Sequence, residues 1–470
     1  MTANRHLQLD SEEMRAIGYR IIDLIVERHR TLPDQPATHK ESPPELSRRL
    51  HEPLPECGCS MDAILQQVLD DVFSNCSRLD HPRFFGFVPS PSNFIGAMAD
   101  ALASGFNIFA GSWISGAGAA ALELVTIDWM RQLCGMPESA GGIFVSGGSM
   151  ANLTGLALAR HAMLDDRTGG AVAYLSDQTH ASVRRALRVL GFLPCQISEL
   201  ATDGRFRLRV EDLAAAAARD RSAGKRPFCV IANAGTTNTG AVDPLAELSR
   251  FCRDENLWLH VDGAYGAAAV LCERGRALLE GLESADSLSL DPHKWLFQPF
   301  ESGCVLVRQG ALLAGTFRVL PEYLADIHRG AEDVNFGDRG IQLTRGFRAL
   351  KLWMTIKYFG LEAMRKAVVR GFELAEAAEA EIRKTHDFEI VTPAQMGVVT
   401  FRHSRAADQE FYRRLVDGMA AGGLAFLTST VLRGETVLRL CTINPRTCEA
   451  DLTQTLDRLR ELAAGMIGSG

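Results

Sequence analysis

Near the N-terminus, apolar residues recur with a helical period. Met14, Ile17, Ile21, Leu24 and Ile25 place one apolar stripe along a helix. Ser11 is a good N-cap type for it, and Glu12 and Glu13 fall in the first turn. The stripe stops before Pro33. Pro33, Pro36, Pro43, Pro44, Pro53 and Pro55 then predict an extended arm with short helices. A single helix is marginal in water by itself, so this arm is expected to pack on another subunit.

From about 80 to 350 the pattern changes. Short runs that are apolar throughout (GGIFVS, AVAYLS, PFCVIANA, LWLHVD, SLSLD, CVLVR) alternate with helical stretches such as ALELVTIDWMRQLCG, MANLTGLALARHAML and LAELSRFCRDEN. Strands of this kind belong to a mostly parallel sheet covered by helices on both faces, the α/β class. After about Thr344 come helical FRALKLWMTIKYFG and EAMRKAVVRGFELAEAAEAEIRK. Strand-like FEIVT, VVTFRH and TVLRLCTI follow, and a last helix lies in EADLTQTLDRLRELAAGM. The chain divides into a helical arm (1–80), a large α/β domain (81–345) and a small C-terminal α+β domain (346–470). Its 470 residues, at roughly 150 per domain, agree with three units.

Composition narrows the class. Hydrophobic residues make up 46% and charged residues 23%, which excludes a disordered or fibrous chain. No apolar run reaches the roughly 18–20 residues of a membrane span, and MTANRHLQLDSEEMR has no apolar signal core. Net charge is −7 with scattered basic residues, which argues against a nucleic-acid partner. The eleven cysteines form no paired-ligand spacing for zinc, so no metal is expected, and reduced thiols in a cytoplasm are the simplest account. Only seven of the 50 basic residues are lysines.

Four segments carry candidate chemistry, each just after a strand, where open α/β sheets bind ligands. In GIFVSGGSMAN, Gly147, Gly148 and Ser149 open a helix whose N–H groups suit a phosphate, although such a turn is more often only a turn. His180 in SDQTHASV is a flat ring able to stack on an aromatic cofactor, or merely a solvated loop residue. Asp262 ends LWLHVD and suits a buried cation, with Ala264 offering a small surface beneath a ring; its bland reading is a helix cap. Lys294, beside His293 and Trp295 in DPHKW, is a candidate desolvated amine able to form a Schiff base, or a snorkelling surface lysine. Together these are the parts for pyridoxal 5′-phosphate: a lysine for the aldehyde and an acid that keeps the ring nitrogen protonated.

The run from Ser287 to Lys294, with SDQTHASV, WLHVDGAY, HPRFFGFVPSPS, GSW, FRALKLW and LRLCTINPRT, resembles the group II pyridoxal-phosphate-dependent amino-acid decarboxylases of fold type I. The aromatic-L-amino-acid decarboxylases are the nearest branch. The resemblance implies a homodimer with active sites at the interface. It implies that Lys294 holds the cofactor, Asp262 pairs with the pyridinium nitrogen and His180 stacks on the ring. Gly148, Ser149 and Asp291 would lie at the phosphate, and Thr236 near the ring or the substrate carboxylate. Relatives often have Asn at position 291, so Asp291 would have to reach a phosphate through water or its own backbone. Phe87, Val88, Pro89, Gly111 and Trp113 are expected to wall the substrate pocket, with Gly111 enlarging it. The implied reaction releases CO2 and an amine from an L-amino acid with an aromatic side chain.

One position departs from that pattern. Aromatic decarboxylases carry a loop Tyr that returns a proton to the substrate Cα. A gap-free count back from Ile341 puts Phe336 there, and phenylalanine has no O–H to give. Tyr323 in LPEYL lies earlier in the chain. A Phe at this place resembles plant aromatic acetaldehyde synthases, which consume O2 and yield an aldehyde, ammonia and hydrogen peroxide. The plain alternative is that His180, His293 or water supplies the proton. Transamination is a further alternative, which would call for an arginine clamp on the α-carboxylate.

Overall fold

The computed structural model describes residues 7–319, 330, 332–405 and 408–467; Tyr323 lies outside them. The apolar stripe becomes α1 (Ser11–Thr31). Its N-cap is Asp10, not Ser11. Asp10 accepts from the Glu12 and Glu13 N–H groups at 2.9 and 2.8 Å, and its charge meets the positive end of the helix. No residue of α1 is buried, and Met14, Tyr19 and Val26 are exposed. The arm continues through α2 (Pro43–Leu50) and α3 (Met61–Gln67). Arg28 pairs with Asp80 at 2.6 Å, and the Ala37 N–H donates to the Gly423 carbonyl at 2.8 Å, tying its base to the body.

Two helices, α4 (Phe94–Gly105) and α5 (Trp113–Leu133), lead into the large sheet. Its strands are β1 (Gly141–Val145), β2 (Ala171–Ser176), β3 (Ile197–Leu200), β4 (Arg226–Asn233), β5 (Trp258–Asp262), β6 (Ser287–Leu290) and β7 (Gly303–Val307), in the order β1-β7-β6-β5-β4-β2-β3. Neighbours among β2 to β6 pair parallel, and β7 runs antiparallel to both β6 and β1. Every strand but β7 therefore points the same way. Around the sheet lie α6 (Gly148–Leu164), α7 (Ala181–Val189), α8 (Val210–Ser222), α9 (Leu245–Asp254), α10 (Glu273–Leu278) and α11 (Ala311–Phe317). All residues of β2, β5, β6 and β7 are buried, as cover on both faces requires.

The two helical stretches after Thr344 are one long element, α12 (Ala349–Arg383), broken at Gly360, where φ is 73°. Glycine reaches that conformation without steric cost. Beyond it, β8 (Phe388–Gln395), β9 (Val398–His403), β10 (Thr428–Leu432) and β11 (Glu435–Cys441) form an antiparallel sheet in the order β10-β11-β9-β8. It packs with α13 (Gln409–Gly422) and α14 (Glu449–Ile467) around a second apolar core. β10 is absent from the sequence reading because TSTVL opens on three polar residues and has no apolar run, its burial alternating along the strand only once it is paired with β11.

Candidate active site

The shared direction of the strands decides where the site lies. Gly147, Gly148 and Ser149 follow β1, His180 follows β2, Thr236 follows β4, Asp262 ends β5, and Asp291, His293 and Lys294 follow β6. All of them, with Ala264, line one cavity of about 350 Å³ at the carboxyl edge of the sheet. That is the size of a small-ligand pocket.

Asp262 is 7% exposed and well held. One carboxylate oxygen accepts from Asn152 Nδ2 at 2.9 Å, and the other from Ser289 Oγ and the Ala264 N–H at 3.1 Å each. Charge so supported is available to a cation in the cavity. His180 caps α7. Its Nδ1 accepts the Ser182 N–H at 3.3 Å and lies 2.8 Å from Ser182 Oγ. Because Nδ1 accepts from a backbone N–H, the ring proton sits on Nε2, and partial desolvation lowers the pKa of the ring. His293 has the opposite tautomer. Its Nδ1 lies 2.7 Å from the Ser302 carbonyl, which can only accept, so Nδ1 carries the proton. Burial lowers the His293 pKa as well.

Lys294 Nζ lies 3.0 Å from Asp291 Oδ2. The other oxygen of Asp291 is buried without a hydrogen-bond partner among the described residues, and its N–H donates to the Ala264 carbonyl at 2.8 Å. A Cβ on Gly148 would fall 2.8 Å from Asp291 Oδ2, and one on Gly147 would fall 3.1 Å from the His293 ring. Here α6 begins on bare glycine with no side-chain cap, so its first N–H groups remain open to an anion. An amine, a strand-end acid held by three donors, a flat imidazole ring and an uncapped helix start fit pyridoxal phosphate.

Other predicted residues lie elsewhere. Phe336 does not line the cavity. It is fully buried in the large core, with the Arg345 and Arg339 guanidinium groups 5.0 and 5.3 Å from its ring centre. Arg345 is itself locked to Glu123 at 2.7 Å, both nearly inaccessible. The ring turns inward because it is apolar and the N–H of the next residue, Gly337, is fixed to the Gly111 carbonyl at 2.8 Å. Nor does Gly111 open a pocket: a Cβ there would fall 2.4 Å from the Leu343 carbonyl oxygen. Trp113 is bound through its N–H to Asn335 at 2.8 Å. Phe87 is exposed, Val88 packs on the core and Pro89 is buried, all outside the cavity lining. The adjacent Ser90 reaches towards the site, donating to the His293 carbonyl.

The sequence reading missed Asn152 and Ser182, and it missed Tyr265, whose buried hydroxyl has no hydrogen-bond partner among the described residues while its ring stacks on Trp295. Asn152 lies one turn after the glycine cradle, a spacing that points at the same cavity. Lys351 was also missed. It is more buried than Lys294 (3% against 24% side-chain exposure), and its Nζ meets Asp100 at 2.7 Å and the carbonyls of Pro299, Phe300 and Glu301 at 3.3–3.4 Å.

A mostly parallel sheet with a lysine, a supported acid, a flat histidine and an open helix start at one edge is the arrangement of a pyridoxal-phosphate enzyme. The chain belongs to the pyridoxal-dependent decarboxylases, whose conserved domain matches residues 43–404. It is 48% identical to aromatic-L-amino-acid decarboxylase of Bacillus atrophaeus, over 98% of this chain and 97% of that protein. Phenylacetaldehyde synthase of Arabidopsis thaliana is 32% identical over 98% and 97%. The crystal structure of Oryza sativa TDC with PLP and tryptamine superposes with a TM-score of 0.92 at 27% identity, covering 98% of this chain and 100% of that one. The protein is a pyridoxal-phosphate-dependent decarboxylase, and no helix among its described residues is long and apolar enough to cross a membrane.

Proposed function

We propose that the enzyme decarboxylates an L-amino acid with an aromatic side chain, releasing CO2 and the amine. The observation that carries this reading is Lys294, Asp262 and His180 around one cavity, in a chain matched almost end to end by an aromatic-L-amino-acid decarboxylase. Pyridoxal phosphate, when bound, supplies a ring that takes up the electron pair left by departing CO2. Lys294 is the residue that would hold the cofactor aldehyde, through Nζ. Asp262, its oxygens fixed beforehand by three donors, would keep a proton on the ring nitrogen. The Gly148 and Ser149 N–H groups hold the phosphate. Asp291, its N–H already engaged by Ala264, would have to meet the phosphate through water. His180 holds a proton at Nε2 that would be available for return to the substrate Cα, whereas the proton of His293 points away at Ser302.

The aldehyde reading rested on Phe336, which lies in the core and not at the cavity. Amine is therefore the proposed product. The exposed apolar residues of α1 support a second copy as its cover, in a homodimer. All eleven cysteines are unpaired, which supports a reducing, cytoplasmic setting. Turnover of tyrosine, DOPA, phenylalanine and tryptophan in an oxygen electrode tests the reading. Equal amounts of CO2 and amine without O2 uptake are expected. Peroxide with aldehyde would overturn the amine assignment, and a keto acid would overturn decarboxylation.

A further inference from the structure

We propose that His260 is a positioning residue, the centre of a one-way chain of hydrogen bonds running from the Trp258 indole to the Asp262 carboxylate and the His180 ring. The proposal rests on the roles given above to Asp262 and His180. None of Trp258, Ser287, His260, Asn152 and Ser182 is more than 6% exposed, so the chain is dry.

Strand periodicity builds it. Trp258, His260 and Asp262 are alternate residues of β5 and share the face that α6 covers. Ser287 and Ser289 of β6 lie in register with His260 and Asp262. Asn152 and Gly155 are three residues apart on α6, and at Gly155 the helix comes very close: a Cβ would fall 2.7 Å from the His260 ring and 3.1 Å from Ser287 Oγ. The helix thus leaves room for an imidazole at this point.

Each link has one permitted direction. Both Asp262 oxygens accept, so the Asn152 amide turns its NH2 towards Asp262 and Ser182 Oγ, at 2.9 Å each. The Asn152 oxygen then faces His260 Nε2 at 3.0 Å, so Nε2 carries the proton. Burial pushes the His260 pKa down to about 4, opposed by the Asp262 charge, and the ring is neutral. Its Nδ1 must therefore accept from the Ser287 hydroxyl at 2.8 Å. Trp258, which can only donate, gives its N–H to Ser287 Oγ at 2.8 Å. At the other end Ser182 Oγ already accepts from Asn152, so its own proton goes to His180 Nδ1. The proton of His180 is thereby held on Nε2. One chain orients the acid that faces the cofactor nitrogen and sets the tautomer of the histidine beside it.

The test compares His260→Leu with His260→Gln in the cofactor-loaded enzyme. Glutamine can keep an acceptor towards Ser287 and a donor towards Asn152; leucine keeps neither. His260→Leu should lower kcat about 100-fold with KM changed less than about 3-fold, because the acid and the ring lose their orientation. It should also move the midpoint of the pH titration of the cofactor absorption by about one unit or more. His260→Gln should restore the midpoint and bring kcat within about 10-fold of the wild type. An unmoved midpoint in folded His260→Leu, or a glutamine variant as impaired as leucine, would overturn the proposal. Should the leucine variant fail to fold by circular dichroism, Ser287→Ala takes its place, with the same shift expected and an unmoved midpoint again decisive. A wild type that binds the cofactor but decarboxylates no aromatic amino acid would sink the substrate reading, while the titration would still decide the role of His260.

Discussion

The cofactor cavity and the region joining Gly111 to Phe336 are neighbours in sequence interest and opposites in physics. In the cavity, polar side chains meet at an edge that the sheet leaves open, each arriving on its own strand. Around Phe336 a turn is packed shut: an apolar ring lies under two guanidinium groups, one of them in a buried ion pair. Substitution in the first region should damage chemistry and leave the fold. Substitution in the second should damage the fold and leave the chemistry.

The largest expected effect is at Lys294. Lys294→Ala should reduce turnover by roughly 10⁴-fold or more and abolish borohydride fixation of the cofactor, with the fold retained by circular dichroism. Retained fixation would break the assignment. Next comes Glu123→Gln, which strips the charge facing Arg345 and leaves a buried guanidinium uncompensated. A loss of about 3–5 kcal/mol in denaturant unfolding is expected, with a normal cofactor spectrum in the folded fraction. Phe336→Tyr places a hydroxyl in the core. It should cost about 1–3 kcal/mol and leave the ratio of amine to aldehyde unchanged. A shift of product towards amine would place Phe336 at the chemistry after all and erase the contrast.

The most gradual effect is acid sensitivity. His260 and His81 are fully buried, and burial pushes each pKa down to about 4 from the usual 6.5. The unfolded chain takes up these protons first as pH falls. Their stabilising contribution is therefore complete above pH 6.5 and declines as pH falls from 6.5 towards about 4. Unfolding midpoints measured from about pH 7 to about pH 5 should fall, and less steeply in His260→Gln.

What the sequence discloses follows the same division. The residues after β1, β2, β4, β5 and β6 can be read because an apolar run followed by a polar residue marks a strand end, and parallel strands bring those ends to one edge. The hydrogen-bond chain through His260 cannot be read, since it depends on the register of two strands and the height of a helix at Gly155. Phe336 misleads for a related reason. Counting residues fixes distance along the chain, whereas the direction of a side chain is set by what surrounds it. Asp10, one residue before the expected cap, shows the same limit at the scale of one helical turn.

Lys351 has a practical consequence for chemical labelling. It is as secluded a primary amine as the fold contains among the described lysines, yet its protons point at Asp100 and three carbonyls, not into the cavity. It provides an internal control within the same molecule. A reagent that tracked seclusion alone would mark Lys351 before Lys294. One that traps a cofactor linkage would mark Lys294 and spare Lys351, so the ratio of the two peptides in a digest separates reactivity from mere concealment.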